Sequence, residues 1–136
     1  MRLFDNYRLI ALVIIVFAGA SSGCDKTPAG KTEVSGTVRW EGQPLPSGGI
    51  QFVTAEDGLP AGSGQIENGQ FKFFSTTGKL RVEILASRPN SNAGADERIP
   101  AYDQYIPERY NTKSGLTAEV TLDGKNEFDF SLTEKP

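Results

Sequence analysis

The one cysteine of this 136-residue chain, Cys24, is the residue whose type and position best suit covalent chemistry. It follows Ser21-Ser22-Gly23. These small residues come after an apolar run over residues 9–20, and Arg2 and Arg8 precede that run. A cationic start, a short apolar segment and small residues before a cleavage point are typical of a secretory signal. As a helix the run would rise only about 18 Å, whereas a membrane-spanning helix needs about 20 residues.

The segment Ser21-Ser22-Gly23-Cys24 resembles a bacterial lipobox, where diacylglycerol is attached to the cysteine thiol and the chain is cut just before it. Lipoboxes usually carry leucine where this chain has Ser21. The resemblance implies a cleaved lipoprotein signal peptide over residues 1–23 and a membrane anchor at Cys24. A plain signal peptide with an incidental cysteine is the alternative. The residue after the cysteine is Asp25, and an aspartate at that position keeps some lipoproteins in the inner membrane. Whether this chain would be anchored in the inner or the outer membrane stays open.

Four aromatic side chains are candidate binding residues: Trp40, Tyr102, Tyr105 and Tyr110. Trp40 ends a predicted strand, and the tyrosines lie in a long segment, residues 88–113, that shows no strand alternation. Such rings can stack on a ligand while their polar atoms find partners at a wet rim. The structural alternative is that Trp40 caps the core and that Tyr105 and Tyr110 clamp the segment to the domain. We expect residues 88–98 to be mobile, because they are small and polar. We expect residues 99–110 to pack against the domain, because Ile99, Ile106 and the three tyrosines carry much apolar area.

Several kinds of chemistry find no support in the sequence. The chain has no histidine, so it has no Ser-His-Asp triad and no imidazole metal site. Asp96, Glu97 and Asp103 do not have the spacing of a calcium loop. Glu127 and Asp129 share the outer face of a predicted strand, with Glu119 on the strand expected beside it, and nothing indicates a pocket there. We therefore expect no enzyme activity, no catalytic residue, no metal and no cofactor beyond the acyl modification at Cys24.

The charge balance also excludes a class of partner. Removing residues 1–23 takes two arginines and one aspartate from 14 basic and 17 acidic residues, which leaves a net charge of −4. That charge favours neither nucleic acid nor anionic lipid. The expected partners are the membrane, through the lipid anchor, and an envelope protein or glycan.

Apolar residues alternate with polar ones from residue 33 onward, which is typical of half-buried strands. Asn68-Gly69 and Asp123-Gly124 are typical tight hairpin turns, and the second should join the last two strands. The pattern predicts an all-β fold, a seven-stranded antiparallel β-sandwich over residues 33–134, after a flexible tether over residues 24–32. The alternating apolar positions are Val34, Gly36, Val38, Trp40; Ile50, Phe52; Phe71, Phe73; Leu80, Val82, Ile84, Ala86; Leu116, Ala118, Val120, Leu122; and Phe128, Phe130, Leu132.

Nearly the whole mature chain resembles small bacterial lipoproteins that carry a carboxypeptidase-regulatory-like domain. The segments that carry the resemblance are Val34-Ser35-Gly36-Thr37-Val38, Gly42-Gln43-Pro44-Leu45, Gly48-Gly49-Ile50-Gln51-Phe52, residues 105–110, residues 114–120 and residues 126–130. The resemblance implies an Ig-like, transthyretin-like sandwich, and the family has no established catalytic residues and no agreed ligand.

These observations lead to an expected function. The chain is expected to be a lipid-anchored cell-envelope protein, facing the periplasm or the exterior, whose sandwich has a structural or adhesive role through protein or glycan contacts. The alternative is a carbohydrate- or peptide-binding module that uses Trp40 and the tyrosines of residues 99–110.

The anchor is directly testable. Changing Cys24 to Ala removes the thiol that would carry the acyl chains, and each buried CH₂ of such a chain contributes about 0.8 kcal/mol of membrane affinity. We expect the C24A protein to leave the membrane fraction, measured by fractionation and by mass of the mature N-terminus. A wild-type protein that begins at an unmodified Cys24, or at Met1, would contradict this prediction.

Overall fold

The computed structural model describes residues 27–90 and 101–136. The expectations for Cys24 and the signal peptide, and for residues 91–100, therefore lie outside the described residues. The described chain forms short strands and one 3₁₀ turn. The strands are β1 (Thr32–Trp40), β2 (Gln43–Pro44), β3 (Ser47–Thr54), β4 (Pro60–Glu67), β5 (Gln70–Ser75), β6 (Gly78–Leu85), β7 (Ser87–Pro89), β8 (Tyr102–Gln104), β9 (Thr117–Val120) and β10 (Glu127–Leu132), and the turn is Glu108–Tyr110.

Seven strands form one curled sheet in the order β10-β1-β5-β4-β3-β6-β9, with β2 added beside β1. Strands β4 and β5 form ladder pairs only next to their hairpin, at Ile66–Phe71 and Glu67–Gln70, and a bond from the Thr76 amide to the Ala61 carbonyl (3.2 Å) joins their far ends. The sheet therefore folds into two facing layers, β10-β1-β5 and β4-β3-β6-β9. The predicted all-β sandwich is confirmed.

An aromatic cluster fills the space between the layers. Phe52 of β3 is fully buried, and its ring makes edge contacts with Phe71, Phe73 and Phe128 of the opposite layer at centroid distances of 5.0–6.5 Å. The expected burial of Phe52, Val82, Val120 and Phe130 is confirmed. Such edge-to-face pairs add stability beyond the burial of apolar area.

Packing in the core explains why position 64 is a glycine. A Cβ at Gly64 of β4 would lie 2.7 Å from Cδ1 of Phe73, closer than real contacts allow. The ring of Phe73 therefore occupies the space that any larger residue would need.

Of the two hairpin turns that the sequence predicts, one forms and the other does not. Asn68 and Gly69 have φ of 50° and 76°, and they join β4 to β5 in the predicted hairpin. The expected hairpin at Asp123-Gly124 is wrong, because β9 pairs with β6 and β10 pairs with β1, at opposite ends of the strand order. Glu119 therefore does not lie beside Glu127 and Asp129.

The connection between β9 and β10 is closed by a side chain. The Asn126 amide donates to the Thr121 carbonyl (2.8 Å) and accepts from the Thr121 amide (2.9 Å). Leu122, which alternation assigns to the core face, is exposed because β9 ends at Val120. Strand β10 runs parallel to β1, so the sheet is not purely antiparallel.

Residues 88–113 show no strand alternation, yet two short strands involve them. Strands β7 and β8 pair as a two-stranded ribbon, and all six of their residues are exposed. Because both faces of this ribbon meet water, it has no apolar alternation that a sequence pattern could reveal.

The sandwich has two distinct ends. We call the end where β1 begins the tether pole: it holds Thr32, the loop 55–59, residues 76–77 and the loop 121–126. The opposite end, where β1 finishes at Trp40, is the cleft pole. Nine extended residues separate the poles by about 26 Å, at roughly 3.3 Å per residue. Within residues 27–90 and 101–136, no helix has the length and apolar character to cross a bilayer.

The core cluster leads to a stability prediction. Phe52→Ala should lower the free energy of unfolding by about 3–5 kcal/mol, because it removes a ring that no water can replace. Phe74→Ala is the matched control, since Phe74 is half-buried on the other face of β5 and should cost clearly less. Urea unfolding measures both, and equal losses would contradict the central position of Phe52.

Candidate functional site

A cleft of about 510 Å³ lies at the cleft pole and collects three of the four aromatic candidates. We call it the aromatic cleft. Its lining residues are Trp40, Arg88, Tyr102, Asp103, Gln104, Tyr105 and Glu134. They come from three separate parts of the chain: the end of β1, the β7–β8 ribbon with the residue after it, and the segment after β10.

Trp40 is held by strand pairing on both sides, to Leu132 of β10 and to Gln43 of β2. The chain then reverses through Glu41 and Gly42, whose φ angles are 50° and 80°. Two consecutive positive φ values are the signature of a type I′ turn, in which glycine is unstrained and glutamate is not.

The strained Glu41 ties the C-terminal segment to the cleft. Its amide donates to the Leu132 carbonyl (2.9 Å), and its carboxylate accepts from the Glu134 amide. The turn thereby fixes the main chain of Glu134, which lines the cleft. Backbone strain of this kind is found at binding sites, where the surroundings hold it in place.

The ribbon wall of the cleft is fixed at its base by two hydrogen bonds to Ala86. Its amide donates to Oε1 of Gln104 (2.9 Å), and its carbonyl accepts from the Tyr105 amide (3.1 Å). Because Oε1 of Gln104 is used in this way, the NH₂ of the same side chain is the end left to donate to a ligand.

The ring of Tyr105 joins the two walls. It meets Trp40 edge-on, with centroids 5.7 Å apart and planes at 74°, and the Arg88 guanidinium carbon lies 5.4 Å from its centroid. Both contacts occupy the ring, so Tyr105 positions its neighbours rather than offering a free face. Tyr102 is 60% exposed on the ribbon and does offer one. The expectation that Tyr102 packs against the sandwich is wrong, because the ribbon carries it away from the core.

Tyr110 does not line the aromatic cleft. Its hydroxyl accepts from the Thr133 amide (3.2 Å) and lies 3.3 Å from the Thr133 hydroxyl, while the Arg109 guanidinium carbon stands 4.7 Å from the ring centroid. Burial raises the pKa of Tyr110, but the hydrogen bonds to Thr133 and the Arg109 charge outweigh it and leave the pKa below its usual value. These contacts match the structural role as a clamp on the chain after β10.

The residues around Tyr110 support the same role. Ile106 is buried in the core. The buried Asn111 donates through Nδ2 to the carbonyls of Ile106 (3.1 Å) and Pro107 (3.2 Å), and it accepts from the Thr112 amide (2.7 Å). A segment with its polar groups paired in this way is part of the domain, not a free loop.

Sequence reasoning missed Arg88, Gln104 and Glu134, and it considered Asp103 only as a calcium ligand. The ribbon register brings Arg88 opposite Asp103, and the parallel pairing of β10 with β1 brings Glu134 near Trp40. Neither pairing has a sequence signal, because the ribbon does not alternate and a parallel partner is not marked by a turn.

A larger depression, of about 780 Å³, crosses the outer face of β10-β1-β5 and reaches Gln65 and Glu67 of β4. It contradicts the expectation of no pocket near Glu127 and Asp129, which line it with Ser35, Thr37 and Lys72. The Thr37 hydroxyl donates to Asp129, and Lys72 pairs with Glu33 at 3.1 Å. Across the described part of the chain, no three carboxylate, histidine or cysteine side chains gather as a metal site would require.

Comparisons with known proteins identify no family. No family model matches the chain, and no curated protein matches it. Among solved structures, a 9R-lipoxygenase from Cyanothece PCC8801 aligns at a TM-score of 0.43 and 14% identity. The alignment covers 76% of this chain and 16% of the lipoxygenase. That similarity is too low to indicate a shared fold or role.

The geometry separates the roles of the two cleft tyrosines. Tyr105→Ala should lower the melting temperature, because Trp40 and Arg88 both lose the ring they pack on. Tyr102→Ala should leave it within about 1 °C of wild type, since an exposed side chain contributes little to stability. Calorimetry distinguishes the two, and a large loss from Tyr102→Ala would show that the ribbon packs differently.

Proposed function

We propose that this protein is a lipid-anchored, non-catalytic binding module of the bacterial cell envelope whose aromatic cleft holds a glycan. The observation that carries the proposal is the convergence of Trp40, Tyr102 and four hydrogen-bonding side chains on one cleft. In this role the protein is adhesive: it attaches a membrane to an extracytoplasmic glycan.

The chemistry of the cleft suits sugar hydroxyls. Asp103 and Glu134 accept hydrogen bonds, Arg88 donates them, and the Gln104 amide donates through its NH₂. A sugar ring presents hydroxyls that both donate and accept, together with an apolar face that packs on an aromatic ring. Tyr102 supplies an exposed ring of this kind, and the half-buried Trp40 also lines the cleft.

A peptide fits this cleft less well. A peptide bound as an added strand needs main-chain hydrogen bonds to a sheet edge and apolar pockets for alternate side chains, and a proline-rich peptide needs a groove lined mainly by aromatic rings. The lining of the aromatic cleft consists of charged and amide side chains around rings. We therefore favour a glycan over the peptide that the sequence left open.

The remaining parts of the proposal rest on the sequence. The cationic start, apolar segment and Ser-Ser-Gly-Cys run support export and acylation at Cys24. The segments that resemble carboxypeptidase-regulatory-like domains support, as part of the same proposal, a place among the small lipoproteins that carry them. The absence of histidine from the sequence is consistent with binding rather than catalysis.

Glycan binding is tested with the acylated protein in detergent. Chito-oligosaccharides, cello-oligosaccharides and muramic-acid-containing peptidoglycan fragments are the probes, with affinity measured by calorimetry. We expect at least one class to bind, and we expect Tyr102→Ala to weaken it about ten-fold, which corresponds to about 1.4 kcal/mol.

Leu85→Ala is the matched control, because Leu85 is exposed at the same pole and does not line the cleft. It should bind as wild type. Failure of all three probe classes on a folded protein would contradict the glycan proposal. Release of reducing ends from a bound oligosaccharide would contradict the non-catalytic part of it.

A further inference from the structure

The two most exposed leucines of the described chain lie at the tether pole. Leu122 is 67% exposed and Leu59 is 59% exposed. They belong to different loops, but strand register brings both loops to the end where β1 begins. Thr54 pairs with Leu80 near the start of β6, and Val120 pairs with Gly78 at that same start.

Each leucine sits on a loop that its own hydrogen bonds close. The Leu59 amide donates to the Thr54 hydroxyl (2.9 Å) and to Asp57 (3.3 Å), and the Thr54 amide donates back to the Leu59 carbonyl (2.9 Å). The Thr54 hydroxyl and the Leu59 amide lower the pKa of Asp57 below its usual value. These hydrogen bonds fix the main chain of Leu59 in a conformation that leaves its side chain exposed.

Asn126 connects the Leu122 loop to the point where the chain enters the domain. Its side chain closes residues 121–126, and its Nδ2 also lies 3.5 Å from the Thr32 hydroxyl. Leu122 is thus fixed relative to the first residue of β1, which follows directly from the tether.

The tether is short, and part of it is folded. The Lys31 amide donates to the Pro28 carbonyl (3.1 Å), and Gly30 has φ of 75°, so residues 28–31 form a tight turn. Such a turn spans less than about 7 Å. The four residue steps from Cys24 to Pro28 reach at most about 14 Å. With one more residue step to Thr32, an acylated Cys24 would hold the tether pole within about 25 Å of the lipid.

The charges of this pole do not oppose contact with lipid. Three cations and four anions stand there, and Glu33 is paired with Lys72 (3.1 Å), so a net charge of about −1 gives little attraction to anionic headgroups or repulsion from them. These residues are Lys31, Lys79, Lys125, Glu56, Asp57, Glu119 and Asp123. Any affinity must come from apolar side chains that enter the interface, as leucine does in interfacial segments.

We propose that the tether pole docks on the bilayer surface, with Leu59 and Leu122 inserted in the lipid interface. This inference rests on the acyl anchor at Cys24 in the proposed function. Docking at this pole points the aromatic cleft away from the membrane, about 26 Å further out along β1. The second contact fixes the orientation that the tether alone would leave free.

The test uses an environment-sensitive fluorophore on a single introduced thiol. Cys24 is the one native cysteine and is blocked by acylation, so Leu59→Cys and Leu122→Cys each give one labelling site. Leu85→Cys, exposed at the cleft pole, is the matched control. Each acylated protein is placed in phosphatidylcholine vesicles that carry a spin-labelled lipid.

We expect the probes at positions 59 and 122 to shift to shorter wavelength and to be quenched by the spin-labelled lipid. The probe at position 85 should show neither effect. A protein that floats with the vesicles but shows no quenching at 59 and 122, or equal quenching at 85, would overturn the docking and leave the anchor intact. A protein that does not float would overturn the anchor and the docking together.

Discussion

The parallel pairing of β1 with β10 is the constraint on which the rest of the structure depends. Strand β1 lies between β5 and β10 and runs from the tether pole to the cleft pole. Its register with β10 brings Leu132 beside Trp40. The residues after Leu132 then reach Glu41, Arg109 and Tyr110. Without this pairing Glu134 would have no place in the cleft, and Tyr110 would have nothing to clamp.

Close approach of main chains makes the pairing feasible. A Cβ at Gly36 of β1 would lie 1.8 Å from the Phe128 carbonyl oxygen of β10 and 2.8 Å from the tip of the Phe71 ring. No side chain other than hydrogen fits that space. The rings of Phe71, Phe128 and Phe130 then stack along the inner face and continue the cluster around Phe52. Core packing and the position of the cleft are thus set by the same strand.

Much of the fold follows from the sequence, because a half-buried strand must alternate. The runs from Val34 to Trp40 and from Leu80 to Ala86 identify their buried faces correctly, and Asn68-Gly69 marks a real hairpin. Alternation does not tell which strands are neighbours. Asp123-Gly124 therefore suggested a hairpin, whereas the chain there passes from one layer to the other.

The candidate site is predictable only in part, for a related reason. Trp40, Tyr102 and Tyr105 stand out as large aromatic residues near turns, and the structure brings them together. Arg88 and Asp103 lie on a ribbon that meets water on both faces, so no burial pattern distinguishes them from other surface charges. Glu134 reaches the cleft through a parallel strand pair and through the Glu41 turn, both of which are long-range features of the folded chain.

Trp40 offers the most direct measurement of the central claim, because it is the single tryptophan of the chain and gives one indole N–H resonance. Isotope-labelled protein titrated with the oligosaccharide fragments should show a saturable shift of this resonance. The amides of Asp103, Gln104 and Glu134 should move with the same dissociation constant, while those of the tether pole stay in place. An indole resonance that does not move while signals elsewhere on the sandwich do would contradict the assignment of the aromatic cleft as the binding site.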